Sequence, residues 1–341
     1  MIPRLFRAAA LLHPRALAAR ARAHVRLPDL VEQLDTLTTE VRSLSAALDT
    51  VSAHERQLRA VLQADAVADE RVLRFQAVLD EEALGAHIHR AVSRAALHLD
   101  PFPHCVVDRL FPRTYYDALI EAIPPVELFS DRPVNKQQLL VPFAFAPKYS
   151  RIVWAHMADV AATRLLAPAI VDKFREPLAD WLRAHFPTAG EHPLADVELK
   201  CSDGRIMLRR PGYRIPPHRD PKWGFVTCLL YLARPGDDSR WGTQLYRVEA
   251  DEEARGGAPH WVPEERCRWV ADVDFLPNRA LIFLNSAGAH GAQIPPDAEP
   301  ADLERYTYQF RVGPERDSME ALRATLAPEQ QFLWTGKATS Y

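Results

Sequence analysis

Between Leu27 and Val51, the positions Leu27, Leu30, Leu34, Leu37, Val41, Leu44, Leu48 and Val51 form an apolar series whose spacing alternates three and four. That alternation is the a/d seam of a heptad repeat, and Leu58 and Leu62 keep its register. Glu55 takes an a position and interrupts the seam. Pro28 followed by Asp29 suits a helix start, because proline is tolerated in a first turn and an acid there complements the helix dipole. A seam sustained this far favours a coiled coil, so residues 27–62 are expected to self-associate or dock a partner. The competing reading is a long helix laid against its own domain. The helical pattern continues to about Leu99, with Gly85 inside it.

The texture changes at "LDPFPHCVVDRLFPRTYYDALIEAIPP", where a strand-like "HCVVDRLF" precedes a helix opened by Pro112 and closed by Pro124. Residues 126–150 read as loop, and 151–186 as helix broken at Pro168 and Pro177. From Ala195 the pattern turns to short strands: "DVELKCS", "RIMLRRP", "FVTCLLYLA", "TQLYRVE", "CRWVADVDF", "ALIFLN" and "RYTYQFRV". Turn formers separate them, among them Asp203-Gly204, Pro211-Gly212, Pro235-Gly236 and Pro277-Asn278. Many short strands with regular turns predict a sandwich, barrel or jelly roll; the preceding helices make the class α+β. Three regions follow: a basic arm (1–26), a helical or coiled-coil region (27–98) and a domain over 99–341.

Composition adds limits. The chain has 341 residues, 48% hydrophobic and 26% charged, with a net charge of -3, so no global charge invites nucleic acid. The four cysteines form no CxxC pair and sit in apolar strand-like contexts, as expected of buried thiols in a reducing, cytoplasmic compartment. No apolar run is long enough to span a membrane. The first 28 residues lack any acid but carry Arg4, Arg7, Arg15, Arg20, Arg22 and Arg26. A solvated basic arm is the expectation there, against a transit peptide or peripheral membrane contact.

The chemistry gathers in "RRPGYRIPPHRDPKWGFVTCLLYL". On an extended segment His218 and Asp220 point to one face, so an imidazole and a carboxylate can converge. "ALIFLNSAGAHGAQI" offers His290 after a second apolar strand, a separation that lets a jelly roll return beside the first. Two imidazoles and one carboxylate make the facial triad of non-haem Fe(II) sites, with positions left for substrate and oxygen. Small residues on both sides of His290, Gly288, Ala289, Gly291 and Ala292, are expected to let another molecule approach the metal. In "ERYTYQFRVGP" Arg305, Thr307 and Gln309 share one face of an alternating strand. An arginine turned into a barrel is costly unless paired, and a dicarboxylate would pair it bidentately.

These residues together resemble the Fe(II)- and 2-oxoglutarate-dependent dioxygenases, in particular the prolyl-hydroxylase-like bacterial branch, over roughly residues 99–315. The pattern His-x-Asp…His…Arg stands as His218, Asp220, His290 and Arg305; "PFPHCVVDRLFPRTYYDAL", "PGYRIPPHRD" with "TCLLYL", and "WGTQLYRV" resemble segments of that branch. The resemblance implies a double-stranded β-helix with flanking helices. It implies Fe(II) on His218, Asp220 and His290, and 2-oxoglutarate with its far carboxylate on Arg305 and Thr307. Tyr213 is a second expected contact to 2-oxoglutarate; Asn285 is expected to form a turn, with outer support of the metal centre as the alternative. It further implies O2 as cosubstrate, with ascorbate as an auxiliary reductant, and hydroxylation of a small-molecule or peptidyl substrate with release of succinate and CO2. In the halogenating branch the position of Asp220 is a small residue, so the carboxylate here favours hydroxylation or desaturation. Arg219 is expected in solvent; Trp223 and Lys222 are expected at the mouth of the site, and 248–265 is a lid or a surface loop. The alternative of another class is a cupin-like metal-binding module on a coiled-coil scaffold, without enzymatic activity.

Overall fold

The structure, a computed structural model, describes residues 14–131, 137–140, 143–186, 194–195, 197–249, 260–285, 288–331 and 334. Contact density divides the chain into two units, residues 1–59 and 60–341. The described part of the first is helical, within α1 (Pro14–Asp65). This helix opens at Pro14 rather than at Pro28, which lies within its run. Four of its threonines, Thr36, Thr38, Thr39 and Thr50, donate their hydroxyls to the carbonyl four residues back, which satisfies polar side chains inside a helix. The seam residues Leu30, Leu34, Leu37, Val41, Leu44, Leu48, Val51 and Leu58 are each more than half exposed.

The second unit continues with α2 (Ala68–Val78) and α3 (Glu81–Arg94). The chain breaks near Ala66 and again at Asp80, whose side chain accepts from the Ala83 amide as an N-cap, so the single helix expected to Leu99 is two short ones. β1 (His104–Val107) and α4 (Arg113–Glu121) follow. The stretch 126–150, expected as loop, contains β2 (Phe129–Asp131) and β3 (Gln137–Leu140), which extend a sheet edge; strands this short carry too little alternation to show in a pattern. α5 (Lys148–His156) runs into a π-helical segment (Met157–Leu166), then α6 (Ala167–Lys173) and α7 (Arg175–His185). Pro177 sits in the first turn of α7, where the missing amide costs little, while Pro168 falls where the π-helical segment gives way to α6, so the helix passes through it without the break expected there.

Eight strands build the barrel: β4 (Leu199–Arg209), β5 (Arg214–Arg219), β6 (Val226–Tyr231), β7 (Thr243–Val248), β9 (Cys267–Val273), β10 (Ala280–Leu284), β11 (Ala289–Gln293) and β12 (Arg305–Pro314). The short β8 (His260–Trp261) pairs with β5. One antiparallel sheet has the order β1-β10-β6-β12-β4-β3-β2, the other β8-β5-β11-β7-β9. Successive strands from β4 onward alternate between the sheets except at β7 and β9, the pairing of a double-stranded β-helix. α8 (Arg316–Ala324) and α9 (Pro328–Gln331) close the described chain.

The fully buried strand β6 shows why both faces of the larger sheet are dry. Val226, Cys228 and Leu230 join the core under the helices, with Tyr306, Tyr308 and Phe310 of β12. Leu229 and Tyr231 face the second sheet, packed with Leu245, Val273 and Phe275. All four cysteines are free thiols, and burial pushes Cys105 up to about 12. Residues 250–259, most of the expected lid, lie outside the described residues, as do 1–13 of the basic arm. No helix among the described residues is long and apolar enough to cross a membrane.

The helices at 68–94 bury Phe75, Leu84, Ile88 and Val92 in the main core. The compact unit therefore starts near residue 60, not at the boundary expected near 98. A chain of residues 60–341 is expected to unfold cooperatively with the melting temperature of its full-length domain. A chain starting at 98 loses four large buried side chains, each worth about 2–5 kcal/mol, against a total stability of about 5–15 kcal/mol. It is expected to be insoluble or molten by near-UV circular dichroism.

Candidate active site

β5 and β11 run antiparallel with His218 directly opposite His290. Directly paired residues on one face hold their side chains close, and the two imidazole centroids lie 4.2 Å apart. Asp220 follows just past β5. Ligand atoms of His218, Asp220 and His290 all lie within 4.8 Å of one another, and all three residues are buried. His218 Nδ1 is 3.0 Å from the Pro216 carbonyl. A carbonyl only accepts, so Nδ1 carries the proton and Nε2 presents its lone pair, 3.8 Å from Asp220 Oδ1.

The donor set is prepared for a cation. Burial lowers both histidines, His290 to about 3, where the neighbouring His218 also disfavours its charge. Both are neutral near pH 7, the form that binds metal. Burial alone would raise Asp220, but Arg311, His290 and His218 outweigh it and hold the carboxyl well below the usual range. Its oxygens are used unequally. Thr227 Oγ1 (2.8 Å), Gln309 Nε2 (3.3 Å) and Arg311 Nη2 (3.3 Å) converge on Oδ2, while Oδ1 faces the imidazole. The Thr227 hydroxyl is also 2.8 Å from Asn285 Oδ1, and Asn285 Nδ2 donates to the Gly224 carbonyl. Asn285 thus lies behind the site through Thr227, rather than serving only the turn role expected of it.

The Arg311 guanidinium lies 5.3 Å from the Trp223 ring centroid, and a Cβ on Gly224 would meet the Arg311 side chain at 2.4 Å. Trp223 and Gly224 therefore roof Arg311. Lys222, expected at an open mouth, is buried with its ammonium over the Trp334 ring. Arg219, expected in solvent, is buried and donates through Nε to the Gly288 carbonyl at 3.1 Å; it ties the strand of the first histidine to the turn before the second. The small residues beside His290 also serve the fold. A Cβ on Gly288 would lie 1.9 Å from the Phe102 ring, and one on Gly291 would lie 3.0 Å from the Ile215 carbonyl. That space holds a protein ring and a neighbouring strand, not an approaching ligand.

Arg305 and Thr307 of β12 do point between the sheets, with Gln309, while Tyr306, Tyr308 and Phe310 face the helices. Arg305 is 3% exposed, with its guanidinium carbon 4.7 Å from the Phe275 ring and 5.5 Å from Tyr231. Its Nη2 reaches the Gly242 carbonyl at 3.3 Å, and its Nε has no partner among the described residues. Arg209, directly opposite on β4, donates to Thr307 Oγ1 and lies 5.0 Å over the Tyr213 ring. Its Nε and the Tyr213 hydroxyl are likewise buried without partners. Burial and the charge of Arg209 push Arg305 down to about 9. Three orphaned polar groups around two buried cations form a cradle for an anion.

Of the residues singled out in the sequence, the structure brings His218, Asp220 and His290 together and sets Arg305, Thr307 and Tyr213 around Arg209. Sequence reasoning placed Gln309 on the correct face without a task, and it missed Thr227, Arg311 and Arg209. Arg209 and Arg311 had a signal: Arg311 continues the alternation of Arg305, Thr307 and Gln309, and Arg209 continues that of Arg205 and Met207.

No family model and no curated protein sequence matches the chain. Among solved structures it is similar to a Pseudomonas putida prolyl-4-hydroxylase: 16% identity, 68% of this chain and 100% of that one, TM-score 0.35. It is similar to HygX from Streptomyces hygroscopicus, solved with nickel, 2-oxoglutarate and hygromycin B: 14% identity, 62% and 83% coverage, TM-score 0.37. It is also similar to the carbocyclase SnoK from nogalamycin biosynthesis: 12% identity, 69% and 86% coverage, TM-score 0.38. The fold assignment rests on the strand order of the chain itself.

Removing the donor from Asp220 Oδ2 while keeping shape tests the support of the metal centre. Thr227→Val is expected to weaken Mn(II) binding about 10–100-fold by calorimetry, with Thr227→Ser restoring most of it. Unchanged affinity in Thr227→Val would remove Thr227 from the site.

Proposed function

We propose that this protein is an Fe(II)- and 2-oxoglutarate-dependent oxygenase that hydroxylates a C–H bond of a small-molecule or peptidyl substrate. One observation carries the reading: a buried His-Asp-His set and an unpaired buried arginine, Arg305, lie inside the same barrel. A metal triad alone suits many proteins, and a buried arginine without a carboxylate suits few. The donor chemistry fits ferrous iron: two neutral imidazoles and one ionised carboxylate, with further positions left for other ligands.

Bound iron and 2-oxoglutarate would supply oxidative decarboxylation of the oxo acid and an oxidant for an unactivated C–H bond. The chain's own contribution is placement. His218, Asp220 and His290 would hold the metal, and the hydrogen bonds on Asp220 Oδ2 keep the other oxygen aimed inward. Arg305 would fork the far carboxylate of the cosubstrate against the walls of Phe275 and Tyr231, where exclusion of water strengthens the pairing. The rival reading, a metal-binding scaffold without activity, leaves Arg305 as an uncompensated cost.

The purified protein with Fe(II), 2-oxoglutarate and a matching substrate from an amino-acid, peptide and metabolite panel is expected to release succinate and add one oxygen to the product. Asp220→Ala and His290→Ala are expected to abolish both. Substrate turnover that persists without 2-oxoglutarate, or in either variant, would overturn the assignment.

We infer further that the α1 seam pairs with a second copy of this chain. A partner helix must share the 3.5-residue period, and this chain supplies it. The flanking e and g positions between Val31 and Ser52 hold a single charged residue, Glu40, so two copies meet almost without like-charge repulsion. Analytical ultracentrifugation is expected to give an oligomer for the full chain and a monomer for Leu37→Glu/Leu44→Glu. A monomeric full chain at tens of micromolar would refute the pairing.

A further inference from the structure

The cradle at Arg305 contains more positive charge than the expected ligand contact explains. We propose that Arg209 is a second binding residue for the cosubstrate: its guanidinium, linked through Thr307, joins Arg305 in holding the far carboxylate, and the pair makes the site selective for a 2-oxo acid with a full negative charge at that end. This rests on the oxygenase reading.

Four observations carry it. Arg209 and Arg305 are directly paired across β4 and β12, with 8% and 3% exposure. Neither forms an ion pair with any carboxylate among the described residues, although the other buried arginine of β12, Arg311, pairs with Asp220. Arg209 is held without being neutralised: Nη1 donates to Thr307, Nη2 lies 3.7 Å from the Met207 sulfur, and the guanidinium stacks on Tyr213. None of those groups carries a compensating charge. Its Nε, the Arg305 Nε and the Tyr213 hydroxyl are all buried and unsatisfied, so the cradle has donors ready for the oxygens of one carboxylate.

Its charge also reaches two neighbours. It disfavours protonation of Arg305 on one side and of His290 on the other. The guanidinium therefore stands within electrostatic range of both His290 and Arg305. Two adjacent buried cations repel each other in the ligand-free protein. One carboxylate set between them relieves that repulsion and forms charge-assisted bonds to both. A neutral amide at the same place relieves neither, which is the physical basis of the selectivity.

The test uses the full chain loaded with Mn(II) and isothermal titration with 2-oxoglutarate. Arg209→Gln is expected to raise the dissociation constant at least 20-fold, and Arg209→Lys to recover part of the loss. The double variant with Arg305→Gln is expected to lose less than the product of the single losses, because both residues hold one group. The 5-amide of 2-oxoglutarate is expected to bind wild type at least 50-fold more weakly than the acid, with that ratio collapsing in Arg209→Gln. The metal-free Arg209→Gln protein is expected to melt at or above the wild-type temperature, since an unpaired charge is gone; a residue with a merely structural role would lower it. If wild type binds 2-oxoglutarate and Arg305→Gln loses it while Arg209→Gln stays within twofold, the inference about Arg209 fails alone. If wild type does not bind 2-oxoglutarate at all, the oxygenase reading fails with it.

Discussion

The pairing of His218 with His290 across β5 and β11 is the constraint on which the rest depends. Side chains alternate along a strand, so a slip of one residue would turn one imidazole out of the barrel and leave no metal set. The sequence around the pair resists such a slip. After His290 the ladder shifts: Pro216 and Pro217 stand against the single residue Gly291 before Ile215 meets Ala292. Prolines cannot donate to a ladder, so the extra residue is absorbed as a bulge where pairing was already lost. A Cβ at Gly291 would crowd the Ile215 carbonyl, so glycine lets the bulged strand sit close. The Pro217 carbonyl is not wasted, because it accepts from the Val262 amide of the flanking segment. Arg219 then clamps the Gly288 carbonyl and fixes the turn into β11.

Charge inside the barrel follows one rule with a deliberate exception. Asp220 is surrounded by donors and by Arg311, so its buried charge is compensated within the protein. At the other end Arg209 and Arg305 lie opposite each other with rings, a sulfur and a hydroxyl around them. One end of the interior is complete, and the other is left wanting an anion. The asymmetry runs along a single strand: β12 supplies Arg311 and Gln309 to the first end, Thr307 and Arg305 to the second.

Much of this was legible in the chain. The alternation in "RYTYQFRV" separates residues facing the helices from those facing the site, because a strand between two dry layers must sort its polar groups by face. The His-x-Asp spacing is local, and locality made it readable. The missing parts were long-range or hidden by burial. Thr227 lies in a run so apolar that one hydroxyl carries no pattern, and its partner Asp220 is fixed only by folding. Lys222 and Arg219 look like surface residues by type, yet aromatic and backbone partners distant in sequence bury them. Strands β2 and β3 are too short to show period two. The break in the helix after Asp65 has no proline or glycine to announce it; it follows from α2 turning Phe75 into the core.

Trp334 shows how far from the barrel strands the centre's support extends. This residue is 2% exposed, packed edge-on against Trp181 and tilted against Phe186 of the helical layer, and its ring carries the Lys222 ammonium. Lys222 lies between the ligand Asp220 and Trp223, the roof of Arg311. Changes at Trp334 thus reach, through Lys222, the segment that follows Asp220. A cleavage before Trp334 is therefore an alteration of the site's outer wall rather than the loss of a remote segment.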